Sequence, residues 1–195
     1  MPITTAELVK SLTGAASDNA AQASAAASLG HFRSSTVITS GNDNNLFDDV
    51  SGAEAAAGHT DYRCLVFQNT DGALDLTTAK VFVETDDSNA DTTYSLCLER
   101  PQTTLTAGAA QTIGNEATAP DITNATYHTS GAWTESTSCA DFANGLAVGP
   151  LNSTGTADLK TLELIYVWIK RVVGSSASAA AAVSFTVTLQ GDTAA

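Results

Sequence analysis

The segment Thr161–Val173 (TLELIYVWIKRVV) leaves this chain few ways to fold. β-Branched and aromatic residues fill it, and in an extended chain successive side chains point to opposite sides. Leu162, Leu164, Tyr166 and Trp168 then share one face while Ile165, Val167 and Ile169 share the other, so neither face suits water. Such a strand belongs inside a sheet that is covered on both sides. The following segment Ala182–Gln190 (AVSFTVTLQ) sets Phe185, Val187 and Leu189 against Ser184, Thr186 and Thr188, the pattern of a strand with one core face and one wet face. Joined through the Gly, Ser and Ala residues of 174–181, the two read as a C-terminal hairpin that completes a sandwich or jelly roll.

Upstream, strands are expected at about Tyr62–Asn69, Thr78–Thr85 and Thr92–Glu99, with a short one at Thr36–Thr39. The first two are joined at the Gly-bearing turn NTDGALDL, and the acidic turn of residues 86–91 precedes the third. In that third strand Tyr94, Leu96 and Leu98 make a core face, and Ser95, Cys97 and Glu99 make a mixed one. A meander or Greek key follows. Ser51 with Glu54 three residues on has the form of a helix capping box, and Gly58 ends that turn.

The fold class is therefore all-β, a β-sandwich or jelly roll with an N-terminal arm and long inserted loops. Residues 1–35 are read as an arm or linker: Thr5 caps a helical turn over Thr4–Lys10, and Gly14–Leu29 is an Ala/Ser stretch with no large side chain to anchor it. Residues 36–195 form the sandwich domain, and 101–150 is a loop-rich insertion with isolated Ile113, Ile122, Tyr127, Trp133 and Phe142. Loops this long commonly carry contact with a partner.

With 195 residues the chain can bury a full core as one domain. Its formal net charge of -13 repels phosphate backbones and anionic lipid, so nucleic acid and membrane are not expected partners. The carboxylate excess serves solubility, or it complements a basic patch on another protein. Cys64, Cys97 and Cys139 have no C-x-x-C or Cys/His spacing, which favours buried free thiols over zinc or a disulfide framework. Met1–Gly14 has no basic region followed by an apolar stretch, so synthesis and folding in a host cytoplasm are expected.

Chemistry-bearing motifs are sparse. His31, His59 and His128 fall in separate predicted loops, and no pair of them has metal-ligand spacing. The serines lack a G-x-S-x-G context, and the eight Lys and Arg residues are scattered, Lys170-Arg171 being the adjacent pair. Asp48 and Asp49, and again Asp86, Asp87 and Asp91, offer oxygen ligands for Ca²⁺, although Asp, Asn and Ser also cap turns without metal, and the turn reading is preferred. Tyr166 and Trp168 offer a sugar-stacking platform or, in so apolar a strand, core or subunit contact. No catalytic, cofactor-binding or metal residue is assigned, and the chain is read as a non-enzyme.

The phrases LFDDVSGAEAAAGHTDYRCLVFQNTDGALDLTTAKVFV, LAVGPLNSTG and YVWIKRVV followed by SFTVTLQG resemble a group of tailed-bacteriophage virion proteins over Leu46–Val83 and Gly145–Gly191. The resemblance implies a capsid decoration, or cement, protein on the outer surface of the capsid, with the major capsid protein as partner and self-association, as a homotrimer, around a symmetry axis. A head-fibre or tail attachment module that binds a host-surface glycan through residues 101–150 is the alternative. The arm 1–29 would order on a neighbouring subunit or on the shell.

Overall fold

The computed structural model describes residues 2–86, 91–99, 102–103, 108–128, 131–149, 158–178 and 184–193. Eleven strands follow in chain order: β1 (Leu8–Ala15), β2 (Gly30–Val37), β3 (His59–Asn69), β4 (Leu76–Asp86), β5 (Thr92–Leu98), β6 (Gln102–Thr103), β7 (Ala110–Thr112), β8 (Thr134–Glu135), β9 (Leu146–Ala147), β10 (Glu163–Val173) and β11 (Phe185–Thr193). One short helix, α1 (Gly52–Ala57), precedes β3. A curled antiparallel sheet runs in the order β7-β2-β1-β3-β10-β5-β8, with β6 also paired to β10, and a smaller sheet runs β11-β4-β9. The two make an all-β sandwich.

The interior between the sheets takes Leu65 and Phe67 of β3, Ile165, Val167 and Ile169 of β10, and Tyr94, Leu96 and Leu98 of β5 against Val81 and Val83 of β4 and Val187 and Leu189 of β11. Each fully buried side chain of this size contributes about 1.5–3 kcal/mol. A second apolar layer lies on the outer face of the large sheet, where Leu164, Tyr166 and Trp168 meet Cys64, Val66, Cys97, Ala110 and Ile113. Strand β10 is thus covered on both faces, as its composition requires. Leu162 is the exception: it precedes the strand, is 42% exposed and has a φ of 59°.

Ser51 accepts from the Glu54 backbone N–H and Glu54 returns a bond to the Ser51 N–H, so the capping box forms, and Gly58 closes α1 with a φ of 80°. At the N-terminus the cap is Thr4 rather than Thr5, and it starts a single 3-10 turn, Thr5–Glu7. The reading of 1–35 as an arm is corrected. Residues 8–15 form β1, inserted between β2 and β3 with Leu8–Leu12 in unbroken register against Asn69–Leu65. The Ala/Ser stretch between β1 and β2 is held by polar groups instead of large side chains: the Asn19 N–H donates to Arg33 O at 3.1 Å, the Ser35 N–H to Ala20 O at 3.1 Å, and Arg33 pairs with Asp18 at 2.7 Å. Small residues also permit close approach. A Cβ on Gly30, whose φ is 88°, would stand 1.7 Å from Gln111 O and 3.0 Å from the Trp168 ring.

Neither expected hairpin forms. Strand β3 lies in the large sheet and β4 in the small one, and the same division separates β10 from β11. Two strands with apolar faces gain more from stacking across the core than from lying side by side, and the connecting segments are long enough to cross between layers. The insertion 101–150 supplies β6 to β9, and its Ile113, Ile122 and Trp133 roof the outer apolar layer. Much of that segment therefore covers a core. Residues 101, 104–107, 129–130 and 150 of the insertion lie outside the described residues, as do Asp87 and residues 179–183.

Candidate functional site

At one mouth of the sandwich the inner face changes from apolar to ionic. Side chains two residues apart on a strand share a face, so His59, Asp61 and Arg63 follow one another on β3 below Leu65 and Phe67. Arg171 of β10 is the register partner of Asp61. Its Nε donates to Asp61 Oδ2 at 2.8 Å, and its terminal nitrogens reach the same oxygen at 2.6 Å and the Asp48 carbonyl at 2.7 Å. The Arg63 side chain is wholly buried: it pairs with Glu116 Oε2, donates to Tyr62 O at 3.2 Å, and lies 3.8 Å from Asp48 Oδ1. Phe47 sits beneath both guanidiniums, 5.7 Å from that of Arg63 and 4.7 Å from that of Arg171. Buried cations of this kind persist because each has a carboxylate and an aromatic face in reach.

His59 borders the same group. Its Nε2 contacts Asp61 Oδ1 and lies 3.7 Å from Glu54 Oε1, yet it is shielded from solvent and aligned for no hydrogen bond. Glu116 is brought in by its own backbone, whose carbonyl accepts from the Tyr62 N–H at 2.8 Å, on the side of β3 that β1 reaches only from Leu65 onward. Donor atoms of His59, Asp61 and Glu116 all fall within 4.8 Å of one another, the single such grouping of three metal-ligating side chains among the described residues. His59 is therefore the first residue of a strand, not a loop residue. The signal in the sequence was His59-x-Asp61, a spacing that puts both side chains on one face; considering only pairs of histidines missed it.

A second polar site lies on the opposite face. Glu99, directly after β5, is fully buried, and its Oε1 accepts from Trp168 Nε1 at 2.7 Å and from the Gln111 N–H at 3.0 Å, while Oε2 has no hydrogen-bond partner among the described residues. Burial outweighs those two hydrogen bonds and pushes its carboxyl up to about 8, so it is protonated at neutral pH. Cys64 and Cys97 are buried nearby; burial pushes the Cys97 thiol up to about 12 and raises Cys64 well above its ordinary value. These are poor nucleophiles, since the thiolate is the reactive form. His128 Nδ1 lies 3.0 Å from Leu98 O and 3.7 Å from Cys97 Sγ.

The remaining candidates disperse. His31, with a φ of 66°, sets its Nδ1 2.6 Å from Ala15 O on the far side of the sheet. Asp48 serves as counter-ion to the two arginines, and Asp49 is exposed. Asp91 accepts from the Ser178 N–H at 3.0 Å and, through its carbonyl, from the Gly174 N–H at 2.7 Å, which closes the turn after β10. Tyr166 and Trp168 have no exposed surface, so the sugar-platform reading of that pair is withdrawn. Lys170 faces outward, its Nζ 5.4 Å from the Trp133 ring, and Trp133 lies 5.6 Å from Tyr62. Two open grooves of about 280 and 310 Å³ are present among the described residues; the smaller is lined chiefly by Gly, Ala and Leu, and the larger, between β1 and β11, is lined mainly by polar residues and contains Lys10 and Glu84.

Comparison of the chain with protein-family models, with characterised proteins and with solved structures gives no match.

Proposed function

We propose that this protein is a non-enzymatic virion component that decorates and stabilises the outside of an icosahedral phage head. One observation carries the reading: the two segments that resemble phage virion proteins, Leu46–Val83 and Gly145–Gly191, supply β3 and β10 and most of β4 and β11, the four longest strands among the described residues. A cement protein needs a stiff body and repeated shallow contacts whose affinities add over a symmetric shell. The sandwich is doubly cored, its buried thiols are held protonated, and its grooves are open, all of which suit a clamp. Self-association as a trimer about a shell axis and docking on the major capsid protein belong to this proposal.

The second reading, a glycan-binding attachment module, is favoured by one feature. Trp133 and Tyr62 form a half-buried aromatic pair with Lys170 beside it, partly within the inserted region. Copy number separates the two. Gel densitometry of purified particles against the major capsid protein should give a near-stoichiometric ratio for decoration. A few copies per particle supports the attachment module instead, and absence from particles overturns both.

A further inference from the structure

We propose that His59, Asp61 and Glu116 hold a divalent cation of the zinc class at the ionic mouth of the sandwich. The donors are one imidazole nitrogen and two carboxylate oxygens, a mixed N/O set that suits Zn²⁺ better than Ca²⁺ or Mg²⁺, which take all-oxygen shells. Three protein ligands leave a fourth position for water.

Three independent features converge on these atoms. His59 Nε2 is turned away from solvent and meets Asp61 Oδ1 in direct contact without the alignment of a hydrogen bond, so two donor atoms already lie together with no better partner. Each carboxylate is held by an arginine through one oxygen, Asp61 Oδ2 by Arg171 and Glu116 Oε2 by Arg63, which leaves Asp61 Oδ1 toward His59 and fixes the ligands as outer partners do. The charge is also unbalanced: the four carboxylates of Asp48, Glu54, Asp61 and Glu116 gather around two guanidiniums and one imidazole, an excess of acid that a divalent ion offsets.

The geometry is close to what binding requires. Donors on tetrahedral zinc stand roughly 3.4 Å apart, given metal–ligand distances of about 2.0–2.2 Å. His59 Nε2 and Asp61 Oδ1, now in direct contact, part to that spacing, and Glu116, within 4.8 Å of both, closes by rotation of its side chain, whose backbone is already tied to Tyr62. A bound ion would pin the loop after β7 to the start of β3, fastening the roof of the outer core to the main sheet.

The test uses the full chain stripped with EDTA and returned to chelator-free buffer near neutral pH, with ZnCl₂ as probe in a calorimetric titration. Saturable uptake of one ion per chain is expected, weakened on the order of tenfold or more in Glu116→Gln and His59→Ala and unchanged in His31→Ala. Acidification should weaken it, because the imidazole must be neutral to bind. No saturable uptake overturns the proposal, and so does uptake that survives His59→Ala unchanged. If His59→Ala fails to fold, the imidazole resonances of the natural chain decide: stoichiometric Zn²⁺ should move that of His59 and leave His31 in place, and an unmoved His59 overturns the site.

Discussion

On the inner face of β3 and β10 the carboxylate of Asp61 lies buried beside the guanidinium of Arg171, whereas on the outer face of the sheet the carboxyl of Glu99, after β5, is buried against Trp168 with no ion pair among the described residues and keeps its proton. The two faces show the two ways a sandwich tolerates an acid in its interior. At the mouth a charge is kept, and the fold supplies the Arg171 guanidinium to compensate it, itself steadied by Asp48 and the Phe47 ring. Under the insertion the charge is discarded, and the neutral acid needs only the indole of Trp168 and one backbone N–H. The first solution makes stability depend on partners, and the second makes it depend on pH.

The sharpest way to break the comparison is Arg171→Ala. Asp61 would be left buried without its cation, at a cost of about 3–5 kcal/mol in urea unfolding. A loss below about 1 kcal/mol would mean that water already reaches the pair. Next comes the pH dependence. Because the folded Glu99 binds its proton up to about pH 8 and the unfolded group only up to about 4.5, its contribution is fully present below about pH 4.5 and is lost as pH rises through about 8. The slope approaches about 1.4 kcal/mol per pH unit inside that window, and the total is on the order of a few kcal/mol. Burial raises Glu163 in the same direction, so the difference between the natural chain and Glu99→Gln isolates Glu99. The variant should match the natural chain at about pH 4 and exceed it at about pH 9. Equal pH profiles would contradict a protonated Glu99. The smallest effect is expected at the opposite mouth, where half-exposed Lys160 reaches Asp75 and Asp158 at 3.0 Å each. Lys160→Ala should cost less than about 1 kcal/mol and less still in high salt.

The same contrast explains what the sequence could and could not tell. Strands with period-two patterns were legible: both faces of β10, the inward Val187 and Leu189 of β11, and the Ser51/Glu54 cap all stand where the residue types place them. Strand β1 was not legible, because Ala6, Leu8 and Val9 resemble the apolar side of a helical turn and the following stretch is ordered by hydroxyls, glycines and one ion pair rather than by apolar bulk. Partner choice was also hidden. Sequential strands β3 and β4 read as a hairpin, yet their pairing is decided by what covers each face, which is a property of the whole chain. At the mouth, His59-x-Asp61-x-Arg63 was visible as spacing, but Glu116 and Arg171 come from distant segments that only the finished sheet brings alongside.

If the sandwich is a clamp on an assembled shell, as proposed above, a residue-resolution reconstruction of the intact particle should show copies of the chain on the outer capsid surface, repeated around symmetry axes and seated on the major capsid protein without a reacting pocket. A shell bare of this chain, with the protein confined to the tail or found free and turning over a substrate, would contradict it.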